Sequence, residues 1–198
     1  MAGLNSRSAD AITAAAIRLF REKGFDEVSV NDICQEAGIA RSSFYRAFSN
    51  KKEIIRYVLE NTQSRSIVGI GEIVSAENDF ERIWRIGDRY ISIVLAFGPK
   101  LLGTLMQMEL NGELDVLAMV HSVDEWFIRL TRNCQQAGTI RNMAPPEILG
   151  PMGVDAVYKA SYDWCCCKGR LPIRRLARQA VEILYDLAPE YRWEADRE

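Results

Sequence analysis

Between Ser29 and Lys51 the chain reads SVNDICQEAGIARSSFYRAFSNK, a stretch whose spacing leaves few ways to fold. Ser29 stands where a helix N-cap belongs, and Asp32, three residues on, supplies the acid of a capping box. Ile33 and Ala37 are four apart and share one face, and Gly38 stops the helix because it tolerates the left-handed conformation found there. Ile39 fills the turn as a buried residue. A second compact helix is expected from Arg41 to Phe48, with Phe44 and Phe48 on one face and Arg41, Ser42, Tyr45 and Arg46 on others. Two short helices joined by a tight turn, followed at once by a third, make a helix-turn-helix, whose second helix enters the major groove of DNA.

The flanking chain is punctuated the same way. Ser8 or Asp10 opens a helix whose inward face is Ile12, Ala15 or Ala16, Leu19 and Phe20, and Gly24 ends it. Asn50 and Glu53 form a second capping box for a helix carrying Ile54, Ile55, Val58 and Leu59. Beyond it the periodicity stays helical, with segments expected over Asp79–Phe97, Lys100–Leu110, Glu113–Gln136, Pro146 to about Lys168, and Ile173–Leu187. The breaks fall at Gly98-Pro99, Asn111-Gly112, Gly138, Pro145 and Gly169 to Pro172. The expected fold class is therefore all-α, with about nine helices. A DNA-reading head over 1–52 precedes a helical body over 53–198.

Charge supports that division weakly. Through Arg56, nine Lys and Arg stand against seven Asp and Glu, and the remainder has 16 against 20. A mildly basic head on an acidic body suits a DNA reader. No apolar run approaches the roughly 20 residues that span a bilayer, and the N-terminus has no signal-peptide stretch, so a cytoplasmic protein without membrane contact is expected. Five cysteines, an odd number without framework spacing, argue against structural disulfides. There is no glycine-rich phosphate loop, no metal-ligand cluster, and no nucleophile with a histidine near it in sequence. No catalytic residue, metal or cofactor is expected.

The first 56 residues resemble the DNA-binding domain of the TetR family, the tetracycline-repressor-like transcriptional regulators. The matching pattern is Phe20, Gly24-Phe25, Val28-Ser29-Val30, Asp32-Ile33, Ala37-Gly38-Ile39, Ser43-Phe44-Tyr45, Phe48 and Lys51. Two positions depart from it. Ala40 stands where the family has Ser or Thr, which removes a side-chain cap from the recognition helix, and Cys34 replaces a common Ala. The resemblance implies a homodimeric, ligand-responsive regulator, a repressor released from a palindromic operator by a small molecule. A helical interaction protein that keeps the head fold without specific DNA reading is the alternative.

The residues expected at DNA are Ser29, Arg41, Ser42, Ser43, Tyr45, Arg46 and Lys51. Arg41 and Arg46 have the length to reach guanine edges or phosphates, and the serines allow close approach. Tyr45, by resemblance, contacts a phosphate. Lys51 would add a charge to free amides at a helix N-terminus, and Ser29 offers a second such place. A small-molecule pocket is expected among Trp84, Tyr90, Phe97, Met106, Met108, His121, Trp126, Tyr158 and Tyr162. Stripes at Met152, Ala156 and Ala160, and at Leu176, Ala180, Ile183 and Leu187, are expected to pair with their copies as a four-helix bundle. The run Cys165, Cys166, Cys167 lies beside Lys168 and Arg170, which favour a thiolate, yet small residues filling a helix interface explain it as well.

Overall fold

The structure is a computed structural model that describes residues 3–66, 75–115 and 123–193. These hold eight α-helices and a closing 3-10 turn at Pro189–Tyr191. No strand occurs among the described residues, only an isolated antiparallel bridge between Ile140 and Leu187. The all-α expectation holds. The chain forms two compact units, Met1–Val68 with Phe97–Leu114, and Gly69–Ala96 with Asp115–Glu198.

In the first unit, α1 (Gly3–Lys23), α2 (Val30–Ala37), α3 (Arg41–Ala47) and α4 (Lys51–Ser66) follow one another closely. The capping box at Ser29 forms as its spacing requires. The Ser29 hydroxyl accepts from the Asp32 amide at 3.2 Å, and the Asp32 carboxylate accepts from the Ser29 amide at 2.8 Å. Gly38 closes α2 at φ 64°, in the left-handed region. Ile12, Ala16, Phe20, Ile33, Phe44 and Ile54 are wholly buried and make one small core. Ile39, expected inside the turn, is only half-buried. α1 starts at Gly3 rather than at Ser8 or Asp10, since no proline or glycine interrupts residues 4–10.

Helix α5 (Asp79–Leu110) joins two segments that were expected to be separate. Gly98, at φ 76° and ψ 164°, breaks its helical path, and Pro99 can donate no amide hydrogen bond. By length and apolar composition this helix could cross a membrane, against the expectation that nothing approaches such a span. Burial accounts for its composition: Ile91 and Val94 are core in the second unit, and Leu101 and Leu105 in the first.

The second unit holds the first part of α5 with α6 (Asp124–Gln136), α7 (Pro146–Cys166) and α8 (Ile173–Leu184). Of the helix expected to run from Glu113 to Gln136, the structure describes Asp124–Gln136 as helical, and residues 116–122 lie outside the described residues. Gly112 at φ 70° ends the preceding one, and Glu113, Leu114 and Asp115 are not helical. Two glycines let α7 come close to its neighbours. A Cβ on Gly150 would lie 2.8 Å from the Ile128 amide nitrogen of α6, and one on Gly153 would lie 2.1 Å from the Tyr185 hydroxyl. Tyr185, wholly buried, packs edge-on to Phe80 at 6.4 Å. α8 stops at Leu184, not Leu187, because Asp186 adopts φ 45° and its carbonyl accepts from the Arg141 amide.

Candidate nucleic-acid interface

The recognition helix α3 has only seven residues, so its direction is set by what lies beneath it. Phe44 is fully buried, Phe48 packs on it at 6.2 Å between ring centroids, and Tyr57 of α4 meets Phe48 at 5.4 Å. The Tyr57 hydroxyl then reaches Asp10 of α1 at 3.4 Å. Arg18 of α1 is ion-paired with Glu36 of α2. A line of aromatic contacts thus fixes α3 to the helices around it, with its other faces left open.

Arg41, Ser42, Tyr45 and Arg46 are exposed there, and Ser43 is half-buried. Arg41 donates to the Tyr45 hydroxyl at 3.3 Å, and its guanidinium lies 5.8 Å from that ring's centroid. The contact restrains both long side chains. Arg46 has no ion pair among the described residues. Ala40 occupies the N-cap position in extended backbone (φ −74°, ψ 151°) and supplies no cap hydrogen bond. Cys34 is buried behind this surface, and burial pushes its thiol pKa up.

Two expected DNA contacts are turned to other work. The Lys51 ammonium donates to the backbone carbonyls of Phe25 at 2.6 Å, Val28 at 3.0 Å and Asp26 at 3.4 Å, and sits 4.3 Å from the Phe25 ring centroid. An ammonium has three protons, so these acceptors saturate it, and it closes the loop between α1 and α2. The α4 amides it was expected to assist are also engaged: Asn50 Oδ1 accepts from Lys52 and Glu53. Glu53 reaches back to the Ser49 amide at 2.6 Å, one residue before the expected partner. The Ser29 hydroxyl donates to Asp32 Oδ2 at 2.6 Å. The Ser29 hydrogen bonds hold the Asp32 carboxyl below the usual range, so an anion already sits at the start of α2.

Long-range ties also hold the head within its own unit. Lys100, from the part of α5 beyond Gly98, donates to the Glu22 carbonyl in the last turn of α1. Lys52 pairs with Glu113 at 2.5 Å, which lowers the Glu113 carboxyl pKa. Nothing local in the sequence marks such long-range partners.

The expected pocket residues are divided between the two units. Phe97, Met106 and Met108 belong to the first unit, the other described ones to the second, and His121 lies outside the described residues. Tyr90 and Tyr158 are half-buried, with ring centroids 6.4 Å apart. Trp126 and Tyr162 are each 49% exposed, and the Arg129 guanidinium stacks on Trp126 at 4.6 Å. Trp84 alone of the set lines a cleft of about 970 Å³ in the second unit, beside residues that the sequence reading did not select: Trp164, Trp193 and the arginines of α8. The run RLPIRRLARQ was the available signal.

The stripes expected at a dimer contact are also divided. Met152 (45% exposed) and Ile183 (80%) face out, and Ala156, Leu176 and Ala180 are half-buried. Ala160 and Leu187 are core of their own unit. The turn at Asp186 carries Leu187 inward to the bridge with Ile140, and Ala160 falls on the inner face of α7. Cys165 is half-buried, and burial raises its thiol pKa, opposite to what the neighbouring cations were expected to do. Cys166 is exposed and hydrogen-bonds with Tyr162.

Residues 12–58 match the family described as bacterial regulatory proteins, tetR family. The HTH-type transcriptional regulator YvdT of Bacillus subtilis, itself uncharacterized, is 30% identical over 120 residues, which are 58% of this chain and 55% of YvdT. IcaR, the negative transcriptional regulator of the biofilm operon icaADBC in Staphylococcus epidermidis, is 29% identical over 117 residues, 52% of this chain and 60% of IcaR. The chain therefore spans somewhat more than half the length of these curated relatives. Among solved structures, the Bacillus subtilis transcriptional regulator FadR in complex with stearoyl-CoA superposes with a TM-score of 0.67 at 18% identity, over 89% of this chain and 97% of FadR. That likeness shows a shared fold.

Proposed function

We propose that the chain, whose residues 12–58 match the family of bacterial regulatory proteins, tetR family, is a homodimeric, ligand-responsive repressor acting in the cytoplasm on double-stranded DNA. The observation that carries the reading is the open face of α3: Arg41, Ser42, Tyr45 and Arg46 exposed on a helix whose Phe44 is wholly buried. Its arginines can serve guanine edges or phosphates, Tyr45 a phosphate, and Ser42 and Ser43 the close approach. Lys51 stabilises the loop beneath them and is not counted among the contacts.

Two copies are required to fit successive major grooves. The outer face of α7 supports a self-complementary contact, since Ile148, Met152, Asp155, Lys159, Tyr162 and Cys166 recur at alternating spacings of four and three. A two-fold axis midway between Asp155 and Lys159 would set Asp155 against the partner's Lys159 and Met152 against the partner's Tyr162. Ile183 and the half-buried Leu176 and Ala180 of α8 extend this apolar face. A small molecule bound in the second unit would alter the spacing of the two heads. The route is α5, whose two parts belong to different units and whose far part holds the last turn of α1 through Lys100.

The test is selection of bound duplexes from random DNA, followed by binding measurements on variants. Arg41→Ala and Arg46→Ala should each weaken the selected site by about 1–3 kcal/mol where the arginine reads a base. Selection that enriches no sequence, or variants that bind as tightly as the parent, would overturn the reading.

A further inference from the structure

We propose that the cleft of the second unit is a binding site for a flat aromatic carboxylate, held between tryptophans and anchored by Arg175. The proposal deepens the ligand-responsive reading by giving the ligand a place and a chemical class.

The cleft, of about 970 Å³, lies at the start of α8 beside the first part of α5 and the turn that leads out of α7. Its volume is at the upper end for small-molecule sites. The apolar lining is flat and rigid. Trp164 is buried, Trp84 is half-buried, and Trp193 keeps 38% of its surface exposed. Leu171 and Pro172 add further apolar wall. An aromatic ring packed offset or edge-on against an indole gains affinity beyond that of its buried area.

Trp193 is placed by a buried ion pair. Arg178 donates to Glu182 at 2.6 Å, and their side chains are only 12% and 11% exposed. Arg178 also donates to the Tyr191 carbonyl at 3.0 Å, while Glu182 accepts from the Trp193 amide at 2.8 Å. The guanidinium of Arg178 lies 4.7 Å from the Phe80 ring centroid and 5.0 Å from that of Trp84. The pair fastens the chain end that forms this wall, and its charges answer each other.

The remaining charges of the cleft select the ligand. Arg174 donates to Asp88 at 2.6 Å and to Ser92 at 2.7 Å, and Glu81 is paired with Arg85 at 3.1 Å. Arg175 lines the same cleft, is exposed, and has no hydrogen bond or ion pair among the described residues. One uncompensated guanidinium beside three indoles fits one anionic group on an aromatic frame. A guanidinium meets a carboxylate through two parallel hydrogen bonds, which matches its planar fork.

The probe is 2-naphthoate, with 2-naphthamide as its uncharged counterpart, titrated into the full chain without DNA by calorimetry and tryptophan fluorescence. One naphthoate should bind per chain, quench the tryptophans, and bind at least tenfold more tightly than the amide. Arg175→Gln should remove that tenfold preference, and Trp193→Ala should weaken both compounds, with unchanged circular dichroism in each variant. Equal affinity for acid and amide, indifference to both substitutions, or no binding at millimolar concentration would overturn the proposal. Naphthoate that binds as described but does not release the selected DNA would count against the ligand-responsive reading and leave the site standing.

Discussion

Replacing Gly153 with alanine tests the packing of the second unit most directly. The added Cβ would lie 2.1 Å from the Tyr185 hydroxyl and 2.8 Å from Cζ of the same ring, so the two must separate by about 0.9 Å to reach even a 3.0 Å contact. Tyr185 has little room to move. It is wholly buried, packed edge-on to Phe80, and its hydroxyl lies 3.5 Å from Thr131 Oγ1. Overpacking of this kind costs about 1–3 kcal/mol, and the fixed ring puts Gly153→Ala at the upper end of that range. The better helix propensity of alanine offsets about 1 kcal/mol. The expected net loss is about 2 kcal/mol, read as a lower urea midpoint by far-ultraviolet circular dichroism. Tyr185→Phe removes the atom at 2.1 Å but leaves the carbon at 2.8 Å, and by itself gives up a long hydroxyl contact, about 1 kcal/mol or less. The double variant should therefore be more stable than the sum of the single losses predicts, by about 1 kcal/mol. Gly153→Ala as stable as the parent, or strict additivity in the pair, would refute the close approach.

Three further outcomes follow from the geometry. Lys51→Met should destabilise the head by about 1.5–3 kcal/mol, because the Phe25 and Val28 carbonyls lose a charged donor, while the salt dependence of DNA binding stays as in the parent. A shallower salt slope at unchanged stability would return Lys51 to the DNA contacts. Ala40→Ser should raise the stability of the head by about 0.5–1 kcal/mol, since φ −74° and ψ 151° already suit an N-cap and only the acceptor is missing; an unchanged melting temperature would count against it. At alkaline pH the second unit should weaken. Burial pushes both the Cys134 thiol and the Tyr185 phenol up to about 12, above their ordinary 9.0 and 10.0. The unfolded chain thus loses these protons first, so stability is intact below pH 9 and falls as the pH rises toward 12. Cys134→Ala should flatten the first part of that fall in a series of urea titrations, and an identical pH profile would refute the assignment.

The head was legible in the sequence because its determinants are local. Ser29 and Asp32 meet within one helical turn, Gly38 needs only its own backbone freedom, and Phe44 and Phe48 lie four residues apart. Spacing along the chain is enough to predict such contacts, and the absence of a cap at Ala40 was equally visible. The all-α class and most helix ends follow from glycine and proline for the same reason. The hydrogen bonds of Lys51 are not legible in this way because its partners lie 23 to 26 residues away, and nothing at positions 51–53 shows that loop carbonyls will claim the ammonium.

The body obeyed its periodicity without revealing what the periodicity was for. Apolar residues at helical spacing mark inner faces, but pocket, core and intersubunit contact draw on the same residue types. Trp84 lines the cleft while Phe97 is core, and Ile183 is exposed while Leu187 is buried. That last difference rests on one left-handed residue, Asp186, which ends α8 a turn early. The cleft combines Trp84, Trp164, Arg175 and Trp193 from three distant stretches of chain, and the Arg178–Glu182 pair fixes its last wall. Sequence by itself determined the helices and the helix-turn-helix from Ser29 to Phe48, whose capping and ring contacts are short-range. Only the tertiary structure decided which charges are spent on the protein itself and which, like those of Arg46 and Arg175, are left facing solvent, because ion-pair partners are chosen by distance in space.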